Sequence, residues 1–411
     1  MKLTFPNNFF YQLLYVLCIA IPYLNHFELT LFVWAFTVAI SVTNKYSYSF
    51  LKLIIPFIVI LIIAFVMMLF NKYQTYFIVR DVTYLLKPVM GLFIGYQLYQ
   101  RNLNNVFKLV IYAAVFVAIC HLTILLHAVI FYGANTVNAI RDFSGFFSDY
   151  EVYAVIILLF HEKFELGFSR KKTLFFTYLI GFSAFMYLAR TNFIQFVILF
   201  LAMKGFLKIN KTSITVIVSI VLVSIIGYAT VLYINPKRSG DGVEAFLYKI
   251  KVAPMEPFKT KIKRDDWKDF NDNYRSYENI MTTRQVARDG VWNVLFGKGL
   301  GSRIDLKQKV WLGDMDLRFI SILHNGFMIV FLKAGLIGIL FYLYTIYFFL
   351  KKRKATTALS KQINLLFFGT GIFLIISNWV FLGFYNLIDT KTVLIGLLIA
   401  YSEKLNNNAI K

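Results

Sequence analysis

About twelve apolar stretches, each long enough or nearly long enough to cross a bilayer, constrain this 411-residue chain more than any other feature. A hydrocarbon core of about 30 Å needs roughly 17–25 residues of helix. Stretches of that kind fall near 9–25, 28–43, 52–70, 81–99, 106–131, 149–162, 172–189, 191–208, 213–234, 324–350, 362–383 and 388–403. In lipid an unpaired backbone N–H or C=O is costly, so each such stretch must close its own hydrogen bonds as a helix. The expected fold is therefore an all-α polytopic membrane protein with about twelve transmembrane helices. The second, sixth and twelfth stretches are short or irregular, so one span fewer or one more fits the same pattern.

Composition agrees with a bilayer as solvent. The chain is 59% hydrophobic and only 16% charged, and its 44 Phe and 26 Tyr suit lipid-facing surfaces and interfacial belts. A net charge of +22 raises the question of nucleic acid. Most basic residues, however, sit in short loops beside apolar segments, which points to the membrane and away from nucleic acid. Cys18 and Cys120 both lie inside apolar stretches and form neither a disulfide framework nor a zinc site. The first stretch lacks a small-x-small cleavage pattern and is expected to remain as the first span.

Charge sets the expected orientation. With the N-terminus inside, the cytoplasmic turns carry Lys45 and Lys52, Arg101 and Lys108, Lys163 with Arg170 to Lys172, Lys204 to Lys211, and Lys351 to Lys361. Short outer loops hold few cations, chiefly Lys72, Arg141, Arg190 and Lys391. Three parts follow: an N-terminal bundle over 1–234 with about nine spans, a large extracytoplasmic loop over 235–323, and a C-terminal group over 324–411 with about three spans. The loop is too long and too charged for a connector. It is expected to be partly helical.

Several residues could carry chemistry on the outer side. His324 stands where the loop re-enters the bilayer, in His324-Asn325-Gly326, and no other histidine lies in the loop or at its edge. A lone histidine at a helix end more often caps or packs. Its ordinary pKa of about 6.5 nonetheless suits general base work. Arg190 interrupts two apolar runs at the outer boundary. It is either a snorkelling residue or a planar fork held at the interface for phosphate. Within the loop, Arg275, Arg284 and Arg288 precede Trp292, and Arg284 and Arg288 share a helix face if this segment is helical. Gly297-Lys298-Gly299-Leu300-Gly301 resembles a phosphate cradle superficially. It lacks the strand-then-helix frame of one and is expected to be a turn. Asp314-Met315-Asp316 is expected to be a solvated acidic turn, and no cluster at ligand spacing suggests a metal. Lys87 and Lys333 lie inside expected spans, where a charge is costly and is paired or functional by default.

The run His324-Asn325-Gly326-Phe327, followed by Leu332-Lys333-Ala334-Gly335-Leu336-Ile337-Gly338, resembles the signature of the O-antigen polymerase and O-antigen ligase superfamily. Arg284 with Trp292 and the Leu295 to Gly299 turn looks like that family's loop. Arg141 through Gly145-Phe146-Phe147 and Asp149 looks like its earlier outer motif, and Arg190 matches its arginine after the seventh span. One departure is Lys333, which stands where the family often has an acidic residue. The resemblance implies a cofactor-free, metal-independent, inverting glycosyltransferase on the outer face of the bacterial inner membrane. Donor and acceptor would be oligosaccharides on undecaprenyl pyrophosphate. His324 would be the base and Arg190 and Arg284 the pyrophosphate ligands, with Arg141, Arg288, Lys87 and Arg275 in support. Polymerisation of repeat units into O-antigen, capsule or exopolysaccharide is the leading expectation, with a flippase and a chain-length regulator as partners. Ligation of polymer to lipid A-core is the alternative, and a non-catalytic lipid-linked sugar flippase is a third reading.

Overall fold

The computed structural model describes residues 8–145, 148–207, 211–239, 243–256, 259–263, 266–312, 315–386 and 388–408. Helices dominate the described residues. In the N-terminal part they are α1 (Phe9–Ala20, continued by a 3-10 turn to Leu24), α2 (Phe27–Ser41), α3 (Tyr48–Leu69), α4 (Thr75–Gln100) and α5 (Val106–Tyr132). There follow a short α6 (Val137–Ser144), α7 (Asp149–Leu159), α8 (Arg170–Met186), α9 (Arg190–Lys204) and α10 (Lys211–Ile234). Starts are set by short polar caps at the chain's turns: Ser47 accepts from the Phe50 amide, and Ser169 from that of Lys172.

Five described helices are long and apolar enough to cross a membrane: α3, α5, the 214–234 part of α10, and two after the loop, Gly326–Leu350 and Ala358–Val380. The protein is thus a helical, membrane-embedded chain. The other apolar stretches are helical as well, but they are shorter or carry charges, as α4 does with Arg80, Asp81 and Lys87.

The large loop has more structure than expected. It folds as α11 (Val243–Val252), α12 (Trp267–Asp272), α13 (Tyr274–Arg288) and α14 (Val291–Phe296), and then as an antiparallel hairpin, β1 (Ile304–Leu312) with β2 (Met315–Ile320). A partly helical loop therefore also carries a two-stranded sheet. The signal is readable in retrospect, because Ile304, Leu306 and Val310 alternate with charged residues and are buried. They join Phe270, Tyr277, Val286 and Ile320 in a small core that closes onto Ile329, Phe331 and Leu332. The loop is thereby fastened to α15 (Gly326–Leu350), which precedes α16 (Ala358–Val380) and α17 (Lys391–Asn408).

The fastening is specific. Helix α15 breaks at Gly335, whose φ of 66° and ψ of −162° are non-helical. A side chain there would meet the Leu295 carbonyl carbon at 2.4 Å. The turn after α14 fills the break: the Lys298 amide donates to the Leu332 carbonyl at 2.7 Å, and the Gly299 amide to the Lys333 carbonyl at 3.2 Å. Inserted protein backbone thus satisfies the groups that a broken membrane helix would otherwise strand. On its other side the Leu300 amide reaches the Ala64 carbonyl of α3 at 2.9 Å. A Cβ on Gly299 would lie 2.4 Å from the Met68 nitrogen. The Gly-x-Gly-x-Gly run is therefore a wedge between α3 and α15, which accounts for its glycines without any phosphate.

Lys333 completes the wedge. Its ammonium donates to Asp81 Oδ2 at 2.5 Å and to the Ser302 carbonyl at 2.6 Å, with both charged side chains buried. Asp81 also accepts from the Gly301 amide at 2.7 Å. The intramembrane lysine is paired, and it ties α4, α15 and the loop at one point.

Orientation is testable on exposed positions. In a variant lacking Cys18 and Cys120, Lys268→Cys should react with a membrane-impermeant thiol reagent in intact cells, and Lys352→Cys only after lysis. The opposite pattern would invert the topology.

Candidate active site

His324 is gripped by a residue of the loop that the sequence did not single out. Glu278, buried on α13, accepts from the His324 backbone amide at 3.0 Å through Oε2 and from the ring at 3.0 Å through Oε1. A carboxylate only accepts, so Nδ1 carries the proton and Nε2 is the basic nitrogen. The imidazole is 41% exposed, which leaves that nitrogen a way to a substrate. Tyr274, one turn before Glu278, packs edge-on to the ring at 5.7 Å. Burial pulls the histidine pKa down, but the charge and hydrogen bond of Glu278 outweigh it and leave the pKa raised above 6.5. Carboxylate, imidazole and open nitrogen form the arrangement by which a histidine is oriented as a general base.

The neighbouring residues explain the local sequence. Asn325 caps α15, its Oδ1 accepting from the Met328 amide at 3.1 Å. Gly326 donates to the Phe381 carbonyl at 2.9 Å, and a Cβ there would lie 2.4 Å from Asn378 Oδ1. His-Asn-Gly is thus a carboxylate-held imidazole, a cap and a close approach to α16, in that order.

Four cations from four elements form a connected group, and through Arg275 its field reaches His324. Arg275, three residues before Glu278 on α13, lies 3.7 Å from Glu256, and its charge acts on His324. Arg190, the first residue of α9, donates to the Lys249 carbonyl of α11 at 3.1 Å. Its field overlaps those of Arg275 and Arg141. Burial lowers the Arg141 pKa, opposed by Asp142 and reinforced by Arg275. Burial also lowers that of Lys249, and Arg141 and Arg190 add to the effect. Partly desolvated like charges that depress one another's proton affinity form a site that an anion would relieve.

Of the arginines singled out in sequence, Arg141, Arg190 and Arg275 come together. Arg284 and Arg288 do not join them. Both are exposed on α13. Arg284 is six residues past Glu278, about 240° around the helix, and Arg288 is about 15 Å along it. Arg190 and Arg284 were expected to share the site; the structure groups Arg190 with Arg275 and Arg141, and helical phase turns Arg284 off the Glu278 face. Lys87 belongs elsewhere as well. It is buried in α4, donates to the Asn386 carbonyl at 2.8 Å and interacts with Asp389 and Lys391. Lys391 in turn pairs with Asp149 at 2.5 Å and Asp389 at 3.2 Å. This knot joins α4, α7 and α17 and explains the outer-loop cation Lys391. The other residues of the earlier outer motif, Phe146 and Phe147, fall outside the described residues.

Asp314 also lies outside the described residues, and Asp316 sits 3.4 Å from Lys309 across the hairpin. Among the described residues no group of three His, Cys, Asp or Glu side chains is placed to hold a metal ion.

The residues missed in sequence are Glu278, Lys249, Glu256 and Tyr274. One signal for Glu278 was available: it is the only carboxylate in α13, a helix that also carries Arg275, Arg284 and Arg288. Comparison with protein-family models and with curated proteins finds no match.

Proposed function

We propose that this protein is a membrane glycosyltransferase that uses a sugar donor carried on a polyprenyl pyrophosphate. It acts on the face where the large loop roofs the bundle, which the charge pattern puts outside the cytoplasm. The observation that carries the reading is the Glu278-oriented His324 beside the Arg141, Arg190 and Arg275 group. Among the described residues the imidazole hydrogen-bonds to Glu278 and to no Ser or Cys side chain, which suits deprotonation of an incoming hydroxyl. Fixed, partly desolvated guanidinium groups suit a leaving group that accumulates negative charge.

In this mechanism His324 Nε2 takes the proton from the acceptor hydroxyl as its oxygen attacks the anomeric carbon. The bond from that carbon to the pyrophosphate oxygen breaks, and the electron pair leaves with the pyrophosphate onto the arginines. One displacement inverts the anomeric configuration. Polymerisation of undecaprenyl-pyrophosphate-linked repeat units at the bacterial inner membrane, by a bundle of about twelve spans, is the form we favour. Ligation of finished polymer to lipid A-core uses the same site chemistry.

Glycan profiling of a deletion strain separates these. Loss of polymer with a single repeat unit still attached to its acceptor means polymerase. Loss of all attached glycan, with lipid-linked polymer accumulating, means ligase. Purified protein should transfer sugar in the presence of EDTA. Complete loss restored by a divalent metal would overturn the metal-independent step.

The arginines have their own expected result. Arg190→Ala and Arg275→Ala should each weaken binding of undecaprenyl-pyrophosphate oligosaccharide by about tenfold or more, as loss of a charged hydrogen bond does. Lysine at either place should recover little, because a point charge does not replace a bidentate fork. Arg284→Ala should change binding by less than about twofold, since exposed charges contribute little. Equal losses for Arg284 and Arg190 would move the pyrophosphate site back to the far face of α13.

A further inference from the structure

A groove of about 460 Å3 runs between α3 and α15 on the opposite half of the bundle from His324. Its walls are Ile55 and Pro56 on one side and Ile337, Leu340, Phe341 and Tyr344 on the other, with Lys52 at its end. Ile55, Leu340 and Tyr344 are each more than 40% exposed, so the groove opens to the surface that faces lipid. It begins just past the Gly335 break, further along the same α3–α15 seam that the glycine wedge enters, and ends at the turns expected in the cytoplasm.

The charges at that end are unbalanced. Helix α3 enters and α15 leaves at the same face, which brings Lys52 and Lys351 together. Burial lowers the Lys351 pKa, and the charges of Arg353 and Lys52 lower it further. Among the described residues no carboxylate lies within salt-bridge distance of Lys52 or Lys351. Each ammonium instead lies over an aromatic ring, Tyr48 at 4.3 Å and Phe348 at 4.6 Å. Arg353 shares the Phe348 ring at 4.2 Å, but it donates to the Phe348 carbonyl at 2.8 Å, stacks on Phe367 at 4.6 Å and feels the charge of Glu403.

We propose that this groove is a binding site for one anionic phospholipid, with an acyl chain along Ile55, Leu340 and Tyr344 and the phosphate on Lys52 and Lys351. Basic pockets between membrane helices on the cytoplasmic side take anionic headgroups for this reason: the phosphate neutralises cations that the chain leaves unpaired, and the apolar wall covers the tail. A zwitterionic lipid offers the same tail but no net charge. Free phosphate offers the charge but leaves the apolar wall open. The site is independent of the transfer reaction and stands or falls apart from it.

Native mass spectrometry of the full chain in neutral detergent tests it, with phosphatidylglycerol, phosphatidylcholine and inorganic phosphate as probes. One phosphatidylglycerol should be retained in preference to phosphatidylcholine, and inorganic phosphate should not displace it. Lys52→Ala and Lys351→Ala should each weaken retention about fivefold. Leu340→Trp, a change at an exposed position that fills the groove, should abolish it. Lys404→Ala, a basic residue beside Tyr99 on α17, should leave retention unchanged. Equal retention of the two lipids, indifference to Leu340→Trp, displacement by phosphate, or an equal loss with Lys404→Ala would each overturn the proposal.

Discussion

His324→Ala should reduce turnover by about 10²- to 10⁴-fold, the range over which a positioned general base contributes, while donor binding stays near wild type. The base acts on the acceptor hydroxyl, so removing it leaves the arginines and their ligand in place. Glu278→Gln gives the sharper result. The amide keeps the size of the side chain but loses the charge that raises the His324 pKa. A general base must be neutral, so activity rises with pH through the histidine pKa. Glu278→Gln should therefore move the acid limb of kcat/KM to lower pH while lowering the plateau, because the Nδ1 proton is no longer fixed. A merely structural Glu278 would lower the plateau without moving the limb. If His324→Ala turns over at near wild-type rate, the histidine caps and packs only, and the base lies elsewhere.

The second large effect concerns stability. Asp81→Ala strands a buried ammonium on Lys333 and removes the acceptor of the Gly301 amide. Breaking a buried pair by removing one partner costs about 3–5 kcal/mol, enough to unseat the loop from the bundle. The double variant Asp81→Asn with Lys333→Met should recover most of that loss. It removes both charges together, and the asparagine oxygen still accepts from Gly301. Thermal unfolding in detergent measures both. Recovery in the double variant shows that the pair is a tie, and an equally unstable double variant shows that Lys333 has a further partner the chain needs. The acid that pairs with Lys333 is supplied by α4, so the charge pair joins two elements.

What the sequence determined by itself was what depends on period and length. The apolar stretches are long enough that water and lipid leave only one arrangement for their backbones, and each is a helix. Charges at their ends give an expected orientation for the same reason, because each short turn must lie on one side or the other. His324 could be picked out because a titratable residue at the rim of an apolar bundle is rare. Tertiary structure decided the rest. Glu278 lies 46 residues before His324, and only the packing of α13 against the start of α15 makes them a pair. Arg284 and Arg275 look alike in sequence, but helical phase relative to Glu278 separates them. The glycines of the 297–301 turn suggest a phosphate cradle until the broken α15 shows which carbonyls their amides reach. Lys87 and Lys333 were visible as buried charges, but not their carboxylates, which come from the turn before α17 and from α4. Local pattern is legible because it repeats within one element. A site is assembled across elements, and its partners are chosen by packing that no window of sequence contains.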